Sequence, residues 1–285
     1  MAQTLDLVHA HAACTLWLEG IPPWRGHKTA SIGQFQCADA AAGAHLLAIA
    51  CDELASRGFE AVIGPLDGDT WHSYRLVTAS DGSPAFYLEP QHPDFYLEAF
   101  TGAGLHPIAH YVSAQGAFGH NRAAHTYAQR LRAAQIHVRL FNPDAAEADL
   151  RAIHQLSLQA FQHNPFYTPI RFAAFYALYQ PLLPHLRPEL IYLAETVDNQ
   201  PLAFLFALPN WQEGKNPQTV IVKTYASRYP GLGGYLLDTL HTEAPALGFQ
   251  RFIHALMHVD NISCHNSARY GSVFRHYALF GCTLP

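Results

Sequence analysis

Apolar and polar residues recur along the chain with two periods, and their order predicts a mixed α/β protein. The segment Ala40–Glu60 carries apolar residues from Leu46 to Leu54 at helical spacing, and Gly58 is typical of a helix end. The segment Gln218–Ala226 (QTVIVKTYA) is rich in β-branched residues, which favour a strand. A glycine-rich loop follows that strand directly.

The remaining patterns predict elements of both kinds. Strands are predicted at Ser31–Cys37, Glu60–Leu66, Ser83–Pro90, His106–Ser113, Ile136–Phe141, Glu189–Thr196, Pro201–Pro209 and Arg251–Val259. Further helices are predicted at Pro93–Gly104, Ala145–Phe161 and Ile170–Leu183. The pattern weakens between Ala114 and Gln135, so we expect two domains, 1–125 and 136–285. A length of 285 residues agrees with two units of roughly 150 each.

Composition narrows the function classes. Lys+Arg 17 against Asp+Glu 22 gives a formal net charge of −5, which argues against a nucleic-acid binder. Five cysteines without a C-x-x-C pair are typical of reduced thiols in a cytoplasmic protein. We expect no membrane span and no signal peptide. His254 and His258 lack a third ligand in the pattern, so we expect no metal site among the 19 histidines.

The loop Arg228–Gly234 (RYPGLGG) carries the candidate chemistry. Glycines expose successive backbone N–H groups, and the start of the next helix adds a partial positive charge, which suits a pyrophosphate. A P-loop would need Lys-Ser/Thr where Tyr235-Leu236 stands, and G-x-G-x-x-G would need glycine at Leu236. The loop instead fits R/Q-x-x-G-x-G/A through Arg228, Gly231 and Gly233.

On these residues the sequence resembles the GNAT superfamily of acyl-CoA-dependent N-acetyltransferases. The resemblance runs from the strand at Thr219 through the loop and the strand Arg251–Val259, with Asp260-Asn261 and Tyr270 roughly where the family has Asn and Tyr. It implies an α/β (α+β) fold of two GNAT-like units, each a mixed, mostly antiparallel sheet flanked by helices. Pro245 departs from the pattern and should end the helix early.

The resemblance also implies a site. Acetyl-CoA would be the co-substrate, with its pantetheine along a strand that splays from its neighbour. The implied cofactor-binding residues are Tyr225, Ala226, Arg228, Gly231, Leu232, Gly233, Gly234, Tyr235 and Asn261. Backbone N–H groups near Tyr225–Ser227 would polarise the thioester carbonyl. Tyr270 would protonate the thiolate, with Tyr277 as the competing candidate. The base would be Glu195 or the acidic loop Gly64–His72.

The first half of the chain repeats the sequence pattern of the second half at an offset of 190 residues. Gly43 aligns with Gly233, and Gly58-Phe59 aligns with Gly248-Phe249. Ala38 and Ala41 stand opposite Arg228 and Gly231, so the first half lacks the basic residue and the first glycine of the motif. We therefore expect a degenerate first unit and a second unit that binds the cofactor.

Three functions fit these observations. The first is an N-acetyltransferase that moves an acetyl group from acetyl-CoA to an amine of a small molecule or peptide, in a monomer or homodimer. The second is a non-catalytic sensor of acyl-CoA or another ligand. The third is a tandem aminoacyl or peptidyl transferase, which the net charge of −5 and the absence of a basic stripe disfavour.

Overall fold

The computed structural model of the chain describes residues 3–118 and 124–285. The strands are β1 (Thr4–His9), β2 (Ala12–Trp17), β3 (Thr29–Cys37), β4 (Ala61–Gly64), β5 (Leu76–Ser80), β6 (His106–Ala117), β7 (Ile136–Leu140), β8 (Ile191–Thr196), β9 (Pro201–Pro209), β10 (Thr219–Ser227), β11 (Arg251–His258) and β12 (Ser272–Thr283). The helices are α1 (Ala40–Ser56), α2 (Phe95–Gly102), α3 (Ala124–Ala133), α4 (Ala146–Phe161), α5 (Phe172–Tyr179), α6 (Leu232–Glu243) and α7 (Ile262–Ser267).

All of these strands belong to one mixed sheet. Its order is β1-β2-β3-β4-β12-β6-β11-β10-β9-β8-β7, and β5 pairs with β12 beside this path. Within the described residues only β3–β4 and β10–β11 are parallel pairs; the other neighbours are antiparallel. The sheet is therefore mostly antiparallel, as the sequence predicts.

The offset of 190 residues holds for the backbone as well as for the sequence. β3 at 29–37 and β10 at 219–227 have the same length and differ in number by 190. Thr29 pairs with Ala61 in the first half, and Thr219 pairs with Arg251 in the second, so the parallel register repeats too. Two strand–helix–strand segments of the chain thus have equivalent geometry.

The last strand of each predicted unit pairs with strands of the other unit. β12 comes from the C-terminal end of the chain, yet it lies between β4 and β6 of the first predicted unit. β6 in turn pairs with β11 of the second. The two predicted units therefore share one sheet, and burial of Tyr277, Ala278 and Leu279 on β12 fixes this arrangement.

Several sequence predictions change in detail. The predicted strand Ser83–Pro90 is wrong: the segment is irregular because Leu88 has a φ of 74° and Glu89 turns inward to accept a hydrogen bond from Tyr277 at 2.5 Å. α6 ends at Glu243, immediately before Ala244-Pro245, as the proline predicts. Strands β1, β2, β5 and β12 and helices α3 and α7 were not predicted.

Candidate active site

β10 and β11 separate midway along their length, which opens a cleft in the sheet. They pair in parallel as far as Val222 and His254, whereas β10 continues to Ser227 and β11 to His258. A register shift against β9 places a bulge in β10 at Lys223, where the separation begins. The splay that the family resemblance implies is therefore present.

A cavity of about 600 Å³ fills this cleft. Its walls come from β10, from β11 and from residues of both predicted units. The contributors outside these two strands include Thr70, Trp71, His72, Ser73, Tyr74, Arg75, Leu88, Glu89, Tyr111, Phe161, Asn164, Tyr167, Leu178 and Tyr179. The size suits a small organic ligand.

The glycine-rich loop leads directly into α6. Gly231 has a φ of 79°, a left-handed conformation that glycine adopts without a steric cost, and it caps the helix. Gly233 and Gly234 occupy the first turn, where N–H groups have no acceptor within the helix. An ideal Cβ at Gly233 would lie 3.2 Å from the Tyr225 ring, whereas one at Gly234 would meet no described atom within 4 Å. Gly231 is exposed and Gly234 is half-buried, whereas Gly233 is buried against Tyr225, so the loop presents backbone donors to solvent mainly at Gly234.

Tyr127 on α3 packs over the same loop. Its hydroxyl donates a hydrogen bond to the carbonyl oxygen of Pro230, and its ring stacks on Tyr235 with 5.5 Å between centroids. A Cβ at Gly231 would lie 2.8 Å from the Tyr127 ring. The segment between the predicted domains therefore contributes to the candidate cofactor site.

The predicted cofactor-binding residues divide by position. Tyr225 and Asn261 line the cavity. Ala226 and Leu232 are buried in the core beneath the loop, where their side chains support it. Arg228 is exposed at the start of the loop.

Glu195 lies in an ion-pair cluster on β8. Arg139 donates to it at 2.6 Å and 2.9 Å and donates to Asp149 at 2.7 Å and 2.9 Å. Asp149 also accepts from the backbone N–H of Asn142 at 2.8 Å. These two carboxylates raise the pKa of Arg139. Glu195 is not among the residues that line the cavity, and its contacts are those of a structural ion pair.

The two tyrosines proposed from the sequence also lie outside the cavity lining. Tyr270 donates to Asp238 on α6 and packs against the ring of His241 at 4.3 Å. Tyr277 is 1% exposed, and its hydroxyl interacts with Glu89 and with Ser113 at 3.0 Å. Burial, followed by the charge and hydrogen bond of Glu89, raises the pKa of Tyr277. Neither hydroxyl reaches the cavity directly.

A buried histidine pair joins α6 to β11 behind the cleft. Nε2 of His241 and Nε2 of His254 are 3.0 Å apart, and Nδ1 of His254 lies 2.7 Å from the hydroxyl of Ser267. Burial lowers the pKa of His241 to about 4 and that of His254 well below 6.5. Because both pKa values lie below 7, both rings are neutral at pH 7, and one donates while the other accepts.

This pair predicts a loss of stability in mild acid. The unfolded chain takes up protons on these histidines from about pH 6.5 downward, while the folded state resists until about pH 4. The free energy of unfolding should therefore be at its full value above pH 6.5 and fall by about 3 kcal/mol for His241 alone as the pH drops to 4. Urea titrations of wild type and His241→Gln across this range measure it.

The exposed His265 on α7 provides the control. His265→Gln should leave the pH dependence of the wild type unchanged, whereas His241→Gln should flatten it. Equal slopes in all three proteins between pH 6.5 and 4 would contradict the assignment.

The sequence patterns did not identify the charged residues of the cavity. Arg75, Lys223 and Glu89 all contribute to its walls. Lys223 is the one cation in the apolar run of β10, which is a signal that could have been used. Arg75 and Glu89 come from the first predicted unit, and their proximity to β10 depends on contacts remote in sequence.

The acidic loop contributes an Asp–His pair at the cavity. Nδ1 of His72 lies 2.8 Å from Oδ1 of Asp69, and the same oxygen accepts from the backbone N–H of Trp71 at 2.8 Å. This hydrogen bond raises the pKa of His72 above 6.5. It also fixes the neutral tautomer with its proton on Nδ1, which leaves a lone pair on Nε2.

In the first half of the chain, carboxylates occupy the helix start and the strand cleft that are equivalent to the start of α6 and the cleft between β10 and β11. Asp39 caps α1 by accepting from the N–H of Ala42 at 2.8 Å. Asp67 accepts from the N–H of Gln34 at 2.7 Å, beside the glycine at position 33 of β3. A Cβ there would lie 2.3 Å from Asp67, so the cleft between β3 and β4 is filled. An anionic cofactor would be repelled at both places.

No three His, Cys, Asp or Glu side chains within residues 3–118 and 124–285 are grouped so that they could hold a metal ion. None of the helices there is both long enough and apolar enough to cross a membrane.

Solved structures match this architecture over nearly the whole chain. A GCN5-related N-acetyltransferase from Sphaerobacter thermophilus has a TM-score of 0.53 at 12% identity and covers 96% of this chain and 81% of its own. A tandem GNAT protein from the clavulanic acid biosynthesis pathway has a TM-score of 0.51 at 12% identity, with 96% and 79% covered. No protein-family model and no curated protein matches the sequence.

A third match is part of a longer protein. It is the GCN5-related glucosamine N-acetyltransferase region of a fungal multi-domain GH3 β-N-acetylglucosaminidase, with a TM-score of 0.55 at 11% identity. The match covers 95% of this chain but only 31% of that protein. The chain has the GNAT fold, and the resemblance read from the glycine loop is confirmed at that level.

Proposed function

We propose that the chain is an N-acetyltransferase that moves an acetyl group from acetyl-CoA to an amine of a small molecule or peptide. The observation that carries the proposal is the cleft between β10 and β11, which opens beside the glycine start of α6. A long cofactor with an anionic pyrophosphate and an extended arm fits this combination of a helix N-terminus and an open strand edge. Fold alone does not define the reaction.

The residues of the second half would hold acetyl-CoA. Backbone N–H groups of Gly233 and Gly234 would bind the pyrophosphate, and the exposed edge of β10 would bind the pantetheine arm. In the first half the N–H of Gln34 is taken by a carboxylate oxygen. The offset of 190 makes Thr224, at the bulge of β10, its counterpart, so we assign the Thr224 N–H to the thioester oxygen.

The first half would then be a degenerate copy of the second. Asp39 and Asp67 occupy its helix start and its cleft, and both oppose an anion. Its residues contribute instead to the acceptor side of the cavity, through the segment from Thr70 to Arg75. We propose one active site in the chain, formed by both units.

Chemistry at this site needs a neutral amine and a group that takes its proton. The amine nitrogen bonds to the acetyl carbon, the carbon–sulfur bond breaks, and the electron pair leaves on the thiolate. His72 is our candidate for the proton acceptor because it lines the cavity, carries its lone pair on Nε2 and is oriented by Asp69.

The His72–Asp69 pair predicts a specific pH profile. The value of kcat at saturating acceptor should fall on the acid side with an apparent pKa above 6.5, because a protonated imidazole cannot act as a base. Asp69→Asn should lower kcat by about 10–100-fold and shift that limb toward lower pH. Asp198→Asn, an exposed site in the turn between β8 and β9, is the control. An unshifted limb in Asp69→Asn would remove His72 from the mechanism.

Thiol release distinguishes the candidate functions. Purified protein, acetyl-CoA and a panel of small amines and peptides should release CoA thiol faster than acetyl-CoA hydrolyses alone. Binding of acetyl-CoA without release for any acceptor would favour the sensor. Release that requires charged tRNA would favour the aminoacyl transferase.

A further inference from the structure

Arg75 is a buried cation of the cavity that has no counter-charge among the described residues. It is 5% exposed and lines the cavity wall. Its guanidinium lies between two aromatic rings, with 3.7 Å from Cζ to the centroid of Tyr74 and 4.1 Å to that of Tyr111. This stacking holds the plane of the guanidinium in a fixed orientation.

The hydrogen bonds of Arg75 are incomplete. A guanidinium has five N–H donors. Among the described residues its one hydrogen bond runs from Nη1 to the carbonyl oxygen of Leu256 at 3.0 Å, and Nε is buried without a partner. No ion pair joins Arg75 to a carboxylate in those ranges. A buried cation in this state is unfavourable unless an anion accompanies it.

The other ionisable groups of the cavity do not supply that anion. Glu89 accepts from Tyr277 and lies 3.1 Å from Arg275, which neutralises it. Asp69 is engaged with the neighbouring histidine. Lys223 adds a second cation and donates to Tyr179 at 2.9 Å. Asp69 is not part of the lining, which therefore carries Arg75 and Lys223 against the one carboxylate of Glu89 that Arg275 already pairs. An acceptor with only an ammonium group would be repelled by these two cations.

We infer that the acceptor carries a carboxylate as well as an amine, and that Arg75 binds this carboxylate. An amino acid or a peptide with a free C-terminus has this chemistry, and its carboxylate can take two N–H donors of one guanidinium. This inference rests on the proposed acetyl transfer and specifies its substrate class. Arg75 would act as a specificity-determining residue, because it stabilises one end of the substrate while the other end reacts.

Matched substrate pairs test the inference. Glycine, β-alanine, γ-aminobutyrate and a short peptide with a free C-terminus are each compared with their carboxamides, in which only the carboxylate is replaced. The amides have the more acidic ammonium groups and hence more free amine, so intrinsic reactivity favours them. We expect instead that at least one acid has a kcat/KM at least about tenfold above its amide, as a charge-assisted hydrogen bond provides.

Variants assign the preference to Arg75. Arg75→Gln should bring the acid-to-amide ratio close to one, and Arg75→Lys should keep part of it. Lys223→Met, which removes the other cation, should retain the ratio. Because each ratio is taken within one variant, a partly folded preparation does not affect it. Equal ratios in wild type and Arg75→Gln, or loss of the ratio in Lys223→Met alone, would overturn the inference.

A binding measurement separates this inference from the proposed function. Calorimetric titration of the same acids and amides into the protein saturated with CoA needs no turnover. Tighter binding of the acids that disappears in Arg75→Gln supports the carboxylate site. If this is seen but no thiol is released, only the proposed acetyl transfer is refuted. Turnover without discrimination between acids and amides leaves acetyl transfer standing and refutes the role of Arg75.

Discussion

Replacement of Gly234 by aspartate is expected to abolish acetyl-CoA binding while the protein remains folded. Gly234 lies in the first turn of α6, and a side chain there meets no described atom within 4 Å. An aspartate at this turn favours the helix itself but places a negative charge where the pyrophosphate would bind. At about 4 Å such a repulsion costs several kcal/mol at a protein surface, so Kd should rise at least about a hundredfold.

Gly234→Ala is the matched control for this substitution. It adds the same Cβ without the charge, so its Kd should stay within about threefold of the wild type, and the unfolding midpoint should not decrease. Gly231 is a poorer choice for this test because its φ of 79° and the adjacent Tyr127 ring would strain any side chain. Equal calorimetric affinities for Gly234→Asp and wild type would refute the loop assignment.

Replacement of Arg139 by methionine should cause the largest loss of stability. The side chains of Asp149 and Glu195 are 4% and 9% exposed, and both would lose their counter-charge. Removal of one partner from a buried ion pair costs about 3 kcal/mol or more, and because Arg139 itself is 38% exposed, solvent screening should reduce the loss to about 2–3 kcal/mol. The exposed pair Arg151–Glu147 is the control, because Arg151→Met should change the free energy of unfolding by less than about 1 kcal/mol. Denaturant titration of both variants measures the difference.

A substitution in the same cluster tests whether Glu195 is structural or catalytic. Glu195→Gln should lower stability, since a hydrogen-bonded carboxylate is lost, but kcat should remain that of the wild type. A large fall in kcat with unchanged stability would restore Glu195 as the base. An Arg139→Met variant as stable as Arg151→Met would show that the cluster does not stabilise the fold.

The local sequence pattern predicted the elements that form the proposed cofactor site. The β-branched run of β10, the glycines before α6 and the offset of 190 residues all lie within short stretches, and the structure reproduces them. The two parallel pairs keep the same offset in register. These features depend on backbone conformation and residue spacing, which a single sequence contains.

The proposed acceptor side of the cavity depends on contacts that sequence spacing does not encode. β12 inserts between β4 and β6, which places Tyr277 inside the sheet, buried behind Glu89 of the cavity lining. Arg75 meets Leu256 across 181 positions of the chain. Glu195 and Tyr270 were proposed from their positions in the sequence. In the structure Glu195 pairs with Arg139 and Tyr270 donates to Asp238, and neither lines the cavity. Pairing partners, not residue type, decide which side chains reach the cavity.

A crystal structure of the protein with CoA tests the central claim most directly. We predict the pyrophosphate within hydrogen-bonding distance of the N–H groups of Gly233 and Gly234, with the pantetheine arm between β10 and β11 and its sulfur near Thr224. The start of α1, capped by Asp39, should hold no CoA. CoA bound at α1, or anywhere outside the cleft between β10 and β11, would contradict the account.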